Sequence, residues 1–188
     1  MFEVVNILDL IDIIGEDETM SLFSDFVSKD KDIEDFIKRN SINFAKKKIS
    51  MTFVVFSKED NKILGIFSLA NKIVTIVKGT VSKTKYLKLE RYAKDTATES
   101  SLQLPCILIA QFSKNEKYSK EITGKQLMEL TLDTIAKAQH IIGGSAVFLE
   151  CKDIKSIVNF YTENNFAKFD ERISVEEDII YQRMLTLL

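Results

Sequence analysis

Apolar side chains recur along this chain in two rhythms, and the switches between them mark most of the predicted elements. Residues 104–112 (Leu-Pro-Cys-Ile-Leu-Ile-Ala-Gln-Phe) are nearly continuous apolar sequence bounded by polar residues, the pattern of a strand covered on both faces. A polar turn at 119–124 follows. Leu127, Leu130, Thr134 and Ala138 then repeat on one face, with Met128 and Ile135 beside them, which predicts a helix over about 124–140. Residues 30–49 predict a second clear helix, with Ile33, Phe36, Ile37 and Phe44 on its apolar face. Its start is acidic (Asp30, Asp32, Glu34, Asp35) and its end basic (Lys46, Lys47, Lys48), which complements the helix dipole. Residues 52–56 and 63–77 predict a hairpin around the turn 58–61, with Gly65 and Asn71 as places for a bulge or bend.

The remaining segments are shorter. Loose alternation over 4–14 predicts a first strand, 15–19 a polar turn and 20–27 a short helix. Residues 78–94 keep no period and read as an irregular or partly helical excursion. Gly143-Gly144 is a turn and 146–150 a buried strand. A helix over 153–164 with Asp153 as its cap, a short strand at 166–169 and a long final strand at 179–188 complete the order. An early hairpin and later strands joined through a helix imply a sheet that is part antiparallel and part parallel.

The chain's 188 residues suit a single domain, residues 1–188, with neither repeats nor a linker. Thirteen Phe and no Trp point to a Phe-rich core. The formal charge of -2 excludes a molecule built throughout to hold nucleic acid, while leaving room for local basic clusters. Cys106 and Cys151 both lie in apolar strand-like runs, which gives buried free thiols and neither a disulfide framework nor a metal site. No apolar stretch reaches the ~18 residues a membrane span needs, and Glu3, Asp9 and Asp12 interrupt any signal-like N-terminus. The expectation is a cytoplasmic protein with reduced thiols and no membrane association.

Candidate chemistry gathers at the junction of 104–112 with the helix from 124, because the first N–H groups of a helix have no internal partner and favour an anion. Three stretches there and elsewhere resemble the GNAT superfamily of acetyl-coenzyme A-dependent N-acetyltransferases. Gly65-Ile66-Phe67-Ser68-Leu69-Ala70 resembles a strand of the branch that contains toxin acetyltransferases of toxin–antitoxin modules. Residues 104–112 with 119–124 resemble the strand and loop that bind coenzyme A. Asn159-Phe160-Tyr161-Thr162-Glu163-Asn164-Asn165-Phe166 resembles the family's C-terminal aromatic motif, and 30–45 its early helical segment. The likeness covers the chain from about Asp30 onward. It implies an α/β (α+β) GNAT-like fold with a central mixed, mostly antiparallel sheet flanked by helices on both faces.

The resemblance also implies a site. Acetyl-CoA would be the co-substrate, held by backbone at Phe112, Ser113 and Lys114 and by the loop Ser119, Lys120, Ile122, Thr123, Gly124 and Lys125, with Lys117 nearby. One N–H at 112–114 would polarise the thioester carbonyl. Tyr161, by periodicity an ordinary core aromatic, becomes the general acid that protonates the departing thiolate. Ser119 and Ile122 stand where the family's phosphate loop carries Arg or Gln and Gly, which opens a second reading as a catalytically inactive binding module. Asn165 replaces the usual Gly before Phe166 and tolerates a left-handed conformation.

Other residues carry two readings each. Ser68 either lines the acceptor side or is a plain strand hydroxyl, and Glu150 either accepts the amine's proton or is a solvated strand-end carboxylate. His140, the only histidine, reads as a helix-end cap, and no nucleophile elbow accompanies it for a hydrolase. Lys78, Lys83, Lys85, Lys88, Arg91 and Lys94, with Tyr86 and Tyr92, are either a solvated loop or a surface for an RNA acceptor. The toxin branch acetylates the amino acid carried on tRNA, which makes tRNA a candidate partner. The molecule is read as a monomer or a homodimer, with the final strand as the edge available for pairing.

Overall fold

Asn6 redirects the first segment. Its side chain accepts the Leu8 amide at 2.9 Å, ending strand β1 (Phe2–Asn6) and capping helix α1 (Ile7–Ile14). Ile7, Leu10, Ile11 and Ile14 then follow a helical spacing, so the expected strand over 4–14 is half strand and half helix. The computed structural model describes residues 1–93 and 99–187. Within them the order continues α2 (Glu16–Ser24), α3 (Lys31–Arg39), α4 (Ser41–Lys46), β2 (Met51–Ser57), β3 (Ile63–Val77), α5 (Lys83–Glu90) and β4 (Ser101–Lys114). A short 3-10 turn (Glu116–Tyr118), α6 (Gly124–Ile142), β5 (Ala146–Lys152), α7 (Lys155–Glu163), β6 (Ala167–Ser174) and β7 (Ile179–Leu187) complete it.

The strands form one seven-stranded sheet in the order β1-β2-β3-β4-β5-β7-β6. β4 and β5 run parallel through Cys106↔Ala146 to Leu108↔Phe148, whereas β1–β2, β2–β3, β5–β7 and β6–β7 are antiparallel. The mixed, mostly antiparallel sheet expected from the sequence is therefore present. Two compact units divide the chain, and β3, β4 and α6 contribute to both.

The first unit comprises Met1–Ala70 and Ile109–Thr134. Its core joins Ile7, Leu10, Phe23, Phe26 and Ile37 from the helices to Val54, Phe56, Ile63 and Ile66 from the hairpin. The long helix expected over 30–49 is broken at Asn40, which caps α3 through its N–H to the Phe36 carbonyl. Ser41 bends the chain there by donating its hydroxyl to the Ile37 carbonyl at 2.7 Å. Phe36 and Phe44 then meet edge to face at 5.5 Å across the corner. In the hairpin Val55 pairs with Gly65 and Phe56 with Ile63, so the expected bulge falls beside Gly65. A Cβ on Gly65 would stand 3.0 Å from a Leu127 methyl and 3.1 Å from the Ser113 carbonyl oxygen, so only glycine fits without displacement.

The second unit comprises Asn71–Leu108 and Ile135–Leu188. Val74, Ile76, Tyr86, Leu89, Leu102, Leu104, Phe148 and Phe169 form its core. The 78–94 excursion contains helix α5, capped by the Ser82 hydroxyl on the Lys85 amide. Lys94 lies outside the described residues. Asp153 does not cap α7; Ile154 occupies that position without a side-chain bond. The final strand is not an edge, because β7 pairs with β5 on one side and β6 on the other. The edge on that side is β6, β1 being the other, and the β6 register shifts between Lys168 and Asp170, a bulge that blunts edge-to-edge pairing.

Candidate active site

The end of β4 is fixed by a residue that sequence reasoning passed over. Asn115 is buried, at 3% exposed, and makes five hydrogen bonds, one of them from the Tyr118 amide to its carbonyl at 3.0 Å. Its backbone N–H donates to the Leu64 carbonyl at 2.8 Å and its Nδ2 to the Ile63 carbonyl at 2.9 Å. Its Oδ1 accepts the Val27 amide at 3.3 Å and the Lys117 amide at 3.1 Å. One carboxamide thus ties β3, the segment after α2, and the turn that leads toward α6. A bare Asn after a strand gives no sequence signal for this.

Strand alternation then orients the proposed thioester groups. The Ser113 carbonyl faces Gly65 and the Asn115 N–H bonds Leu64, so both point toward β3. The N–H and C=O of Phe112 and Lys114 accordingly face the opposite way. The Ser113 hydroxyl donates to the Lys114 carbonyl at 2.9 Å and meets the Ser28 hydroxyl at 2.8 Å. The Lys114 ammonium crosses the following turn to the Ser119 carbonyl at 2.7 Å. Lys117 pairs with Asp25 at 2.9 Å, while Lys120 and Lys125 are exposed.

Helix α6 opens in a capping box. Thr123 Oγ1 accepts the Gln126 amide at 3.1 Å and Gln126 Oε1 accepts the Thr123 amide at 2.9 Å. Leu127 N–H makes the bond to the Thr123 carbonyl, which leaves the amides of Gly124 and Lys125 without an intrahelical partner. The Thr-Gly-Lys-Gln spelling carried this signal in the sequence. Ile122 is 1% exposed, so its branched side chain is withdrawn into the interior. The solvent face of the loop is made instead by Lys120, Glu121 and Thr123.

Tyr161 belongs to the second unit and sits at the C-terminus of α7. Phe166 N–H donates to the Tyr161 carbonyl at 3.0 Å and Asn165 N–H to the Thr162 carbonyl at 3.0 Å, the paired bonds of a Schellman stop. The stop needs a left-handed residue, and Asn165 supplies it with φ 66. The Tyr161 ring packs edge to face against Phe166 at 5.9 Å and Phe160 at 5.1 Å. The aromatic motif is thus a helix stop that clamps one tyrosine. Burial, and then the neighbouring Cys151, pushes the phenol above its ordinary range, so it holds its proton at neutral pH. The Cys151 thiol is itself pushed up to about 11 by burial and then Asp153, and it is not a nucleophile in that state.

Two further candidates are engaged structurally. Ser68 is fully buried and its hydroxyl bonds Thr52 across the β2–β3 pair at 2.7 Å. Glu150 binds Arg172 at 2.8 Å and Arg183 at 3.4 Å, and Arg183 also binds Asp170 at 2.6 Å. Tyr86, expected as a stacking residue, is buried in the core of its unit, whereas Tyr92 is exposed. Lys78, Lys83, Lys88 and Arg91 are exposed without carboxylate partners among the described residues. No group of His, Cys, Asp or Glu among the described residues is arranged to hold a metal, and no helix is long and apolar enough to cross a membrane.

Solved structures share this architecture. AtaT complexed with acetyl-methionyl-tRNAfMet matches 96% of this chain and 94% of its own, with a TM-score of 0.66 at 12% identity. A tyrosine-to-phenylalanine variant of KacT matches 97% and 94%, with a TM-score of 0.65 at 15% identity. AtaTR bound with AcCoA matches 97% and 92%, with a TM-score of 0.58 at 11% identity. No family model and no curated protein matches the chain. The fold is the GNAT-like α/β fold that the sequence motifs implied.

Proposed function

We propose that residues 1–188 act as one GNAT-like N-acetyltransferase domain that moves an acetyl group from acetyl-CoA to a primary amine, in the cytoplasm. The observation that carries this reading is the capped start of α6, where the Gly124 and Lys125 amides are left for an anion such as pyrophosphate. Its fold relatives supply support, since AtaTR is bound with AcCoA. The backbone at Phe112, Ser113 and Lys114 aligns the pantetheine arm. The loop Ser119, Lys120, Ile122, Thr123, Gly124 and Lys125 receives the phosphates.

In the reaction the neutral amine attacks the thioester carbonyl and forms the C–N bond. A backbone N–H at Lys114 stabilises the oxyanion. The C–S bond breaks and Tyr161 protonates the thiolate; the proton released by the amine nitrogen passes through solvent and restores the Tyr161 phenol. The raised phenol suits this role, because a donor must still carry its proton. Ser68, bonded to Thr52, and Glu150, paired with two arginines, remain substrate-side candidates with no step assigned to them.

Calorimetry and turnover of Tyr161→Phe test the assignment. Acetyl-CoA affinity stays unchanged while turnover falls about 10²–10⁴-fold. Equal loss of both, or of neither, removes Tyr161 from the role. Absence of acetyl-CoA binding at millimolar concentration in the wild type favours the binding module instead.

A second, narrower reading takes the amine of an aminoacyl-tRNA as the acceptor. The exposed cations Lys78, Lys83, Lys88 and Arg91 favour it on an otherwise acidic chain, as does the tRNA-bound AtaT relative. Growth arrest on expression with recovery of acetylated aminoacyl-tRNA supports it, and harmless expression removes it.

A further inference from the structure

A directed chain of hydrogen bonds ends at the groups assigned to the thioester. The Asp30 amide donates to Ser28 Oγ at 3.1 Å, and the Ser28 and Ser113 hydroxyls lie 2.8 Å apart. The Ser113 hydroxyl has one proton and gives it to the Lys114 carbonyl at 2.9 Å. Ser28 must therefore be the donor to Ser113, which fixes the polarity of the chain from Asp30 to Lys114. Aligned donors of this kind polarise one another.

Ser28 is itself held from behind. Its amide donates to Glu34 Oε2 at 3.2 Å, and Glu34 Oε1 accepts the Lys31 and Lys38 ammoniums at 2.6 and 3.0 Å. The neighbouring Val27 is bonded on both sides, through its amide to Asn115 Oδ1 and its carbonyl to the Glu116 amide at 2.8 Å. The backbone on which the Ser28 hydroxyl is carried is thus bonded at Val27 and at Ser28.

We propose that Ser28 is a positioning residue for acyl transfer: it holds the Ser113 hydroxyl, whose bond to the Lys114 carbonyl closes a ring around the 113–114 peptide, and so fixes the N–H of that peptide, the Lys114 N–H, toward the thioester oxygen. This rests on the acetyltransferase reading above. Removing the Ser28 hydroxyl leaves coenzyme binding intact, because the phosphates are gripped elsewhere, and loosens only the oxyanion donor.

The test uses the full chain with acetyl-CoA labelled with carbon-13 at the carbonyl. Isotope-edited infrared spectroscopy reads the bound thioester band, calorimetry reads affinity, and thiol release with water as acceptor reads turnover. In the wild type the band moves to lower frequency on binding. In Ser28→Ala it returns toward the free position, turnover falls about fivefold, the size of one hydrogen bond, and affinity changes less than twofold. Ser28→Thr restores band and turnover, which a role in packing alone does not predict. Ser113→Ala gives the same band shift without dependence on Ser28→Ala folding. If the wild type binds and neither substitution moves its band, the role of Ser28 is overturned and the acetyltransferase reading stands. If the wild type does not bind acetyl-CoA, both are overturned.

Discussion

Asn115 offers the sharpest physical test of how this site is held. The Ile63 carbonyl, on a residue 5% exposed, has no access to water that would replace the Asn115 Nδ2–H. Asn115→Ala therefore leaves one buried carbonyl unsatisfied, at about 1–3 kcal/mol, and weakens the Val27 and Lys117 amides by about 0.5–1 kcal/mol each, since those are less deeply buried. The sum is about 3 kcal/mol. At a urea dependence of about 2 kcal/mol/M the unfolding midpoint falls by about 1.5 M.

Asn115→Asp keeps the two accepted bonds and replaces the donor by a second acceptor facing the Ile63 carbonyl. Burial and that facing oxygen raise the aspartate pKa above its unfolded value of ~3.9. A folded pKa raised in this way gives stability that is complete below the unfolded pKa and lost as pH rises through the folded one. The protonated acid can donate to Ile63, so the deficit relative to wild type is smallest near pH 4 and grows toward pH 8. Urea titrations of both proteins at pH 4, 5, 6, 7 and 8 measure it. A deficit that is the same at pH 5 and pH 8, or absent at pH 8, refutes the claim that this carboxamide ties the three segments together.

Other perturbations separate the remaining contacts. Glu34 is held at about 2, first by Lys31, then by Lys38 and the Ser28 amide. Its stability contribution is present above the unfolded value of ~4.3 and lost as pH falls toward 2, so Glu34→Gln flattens that part of the acid-unfolding curve; an unchanged curve counts against it. Gly65→Ala forces the immobile Ser113 carbonyl away at 3.1 Å and lowers stability by about 1–3 kcal/mol, read from thermal melts; a wild-type melt denies the close approach. Asn165→Ala costs about 1–2 kcal/mol in the left-handed stop and Asn165→Gly almost nothing, and equal melting of the two removes the helix-stop account of the aromatic motif.

Long segments with one clear rhythm were legible in the sequence. Residues 104–112 lie in β4 and the run from Gly124 in α6, because an unbroken apolar run and a single amphipathic stripe each mark one element; β4 is not covered on both faces as expected, since Gln103, Pro105 and Ala110 are exposed. Gly65 and Asn165 were also legible, since a close approach and a left-handed turn restrict the residue type locally. The first fourteen residues were misread because polar Asn6, Asp9 and Asp12 among apolar neighbours give a loose alternation over a run too short to separate from the helical spacing of Ile7, Leu10, Ile11 and Ile14. The Asn6 cap, visible only as one more polar residue, decided between them. The break at Asn40 was missed for a related reason, because the apolar face formed by Ile33, Phe36, Ile37 and Phe44 runs through it without a gap.

The site divides along the same line. Its motif residues share a local geometry that a short pattern can carry: a capping box at Thr123 and Gln126, and a helix stop at Tyr161, Asn165 and Phe166. The residues that brace them do not. Asn115 gathers Val27 and Ile63 from distant parts of the chain as well as its neighbour Lys117, and Ser28 reaches Ser113 across 85 positions. Asn115, Ser28 and Ser113 are each ordinary polar residues in their own neighbourhoods, and only folding supplies the low-dielectric surroundings that make their bonds consequential. Ile122 shows the converse. By sequence it departs from the phosphate-loop pattern of the resemblance, yet its burial places the branched carbon in the interior. A loop that binds through its backbone tolerates such a side chain so long as the core has room for it, and that room is a property of the fold rather than of the motif.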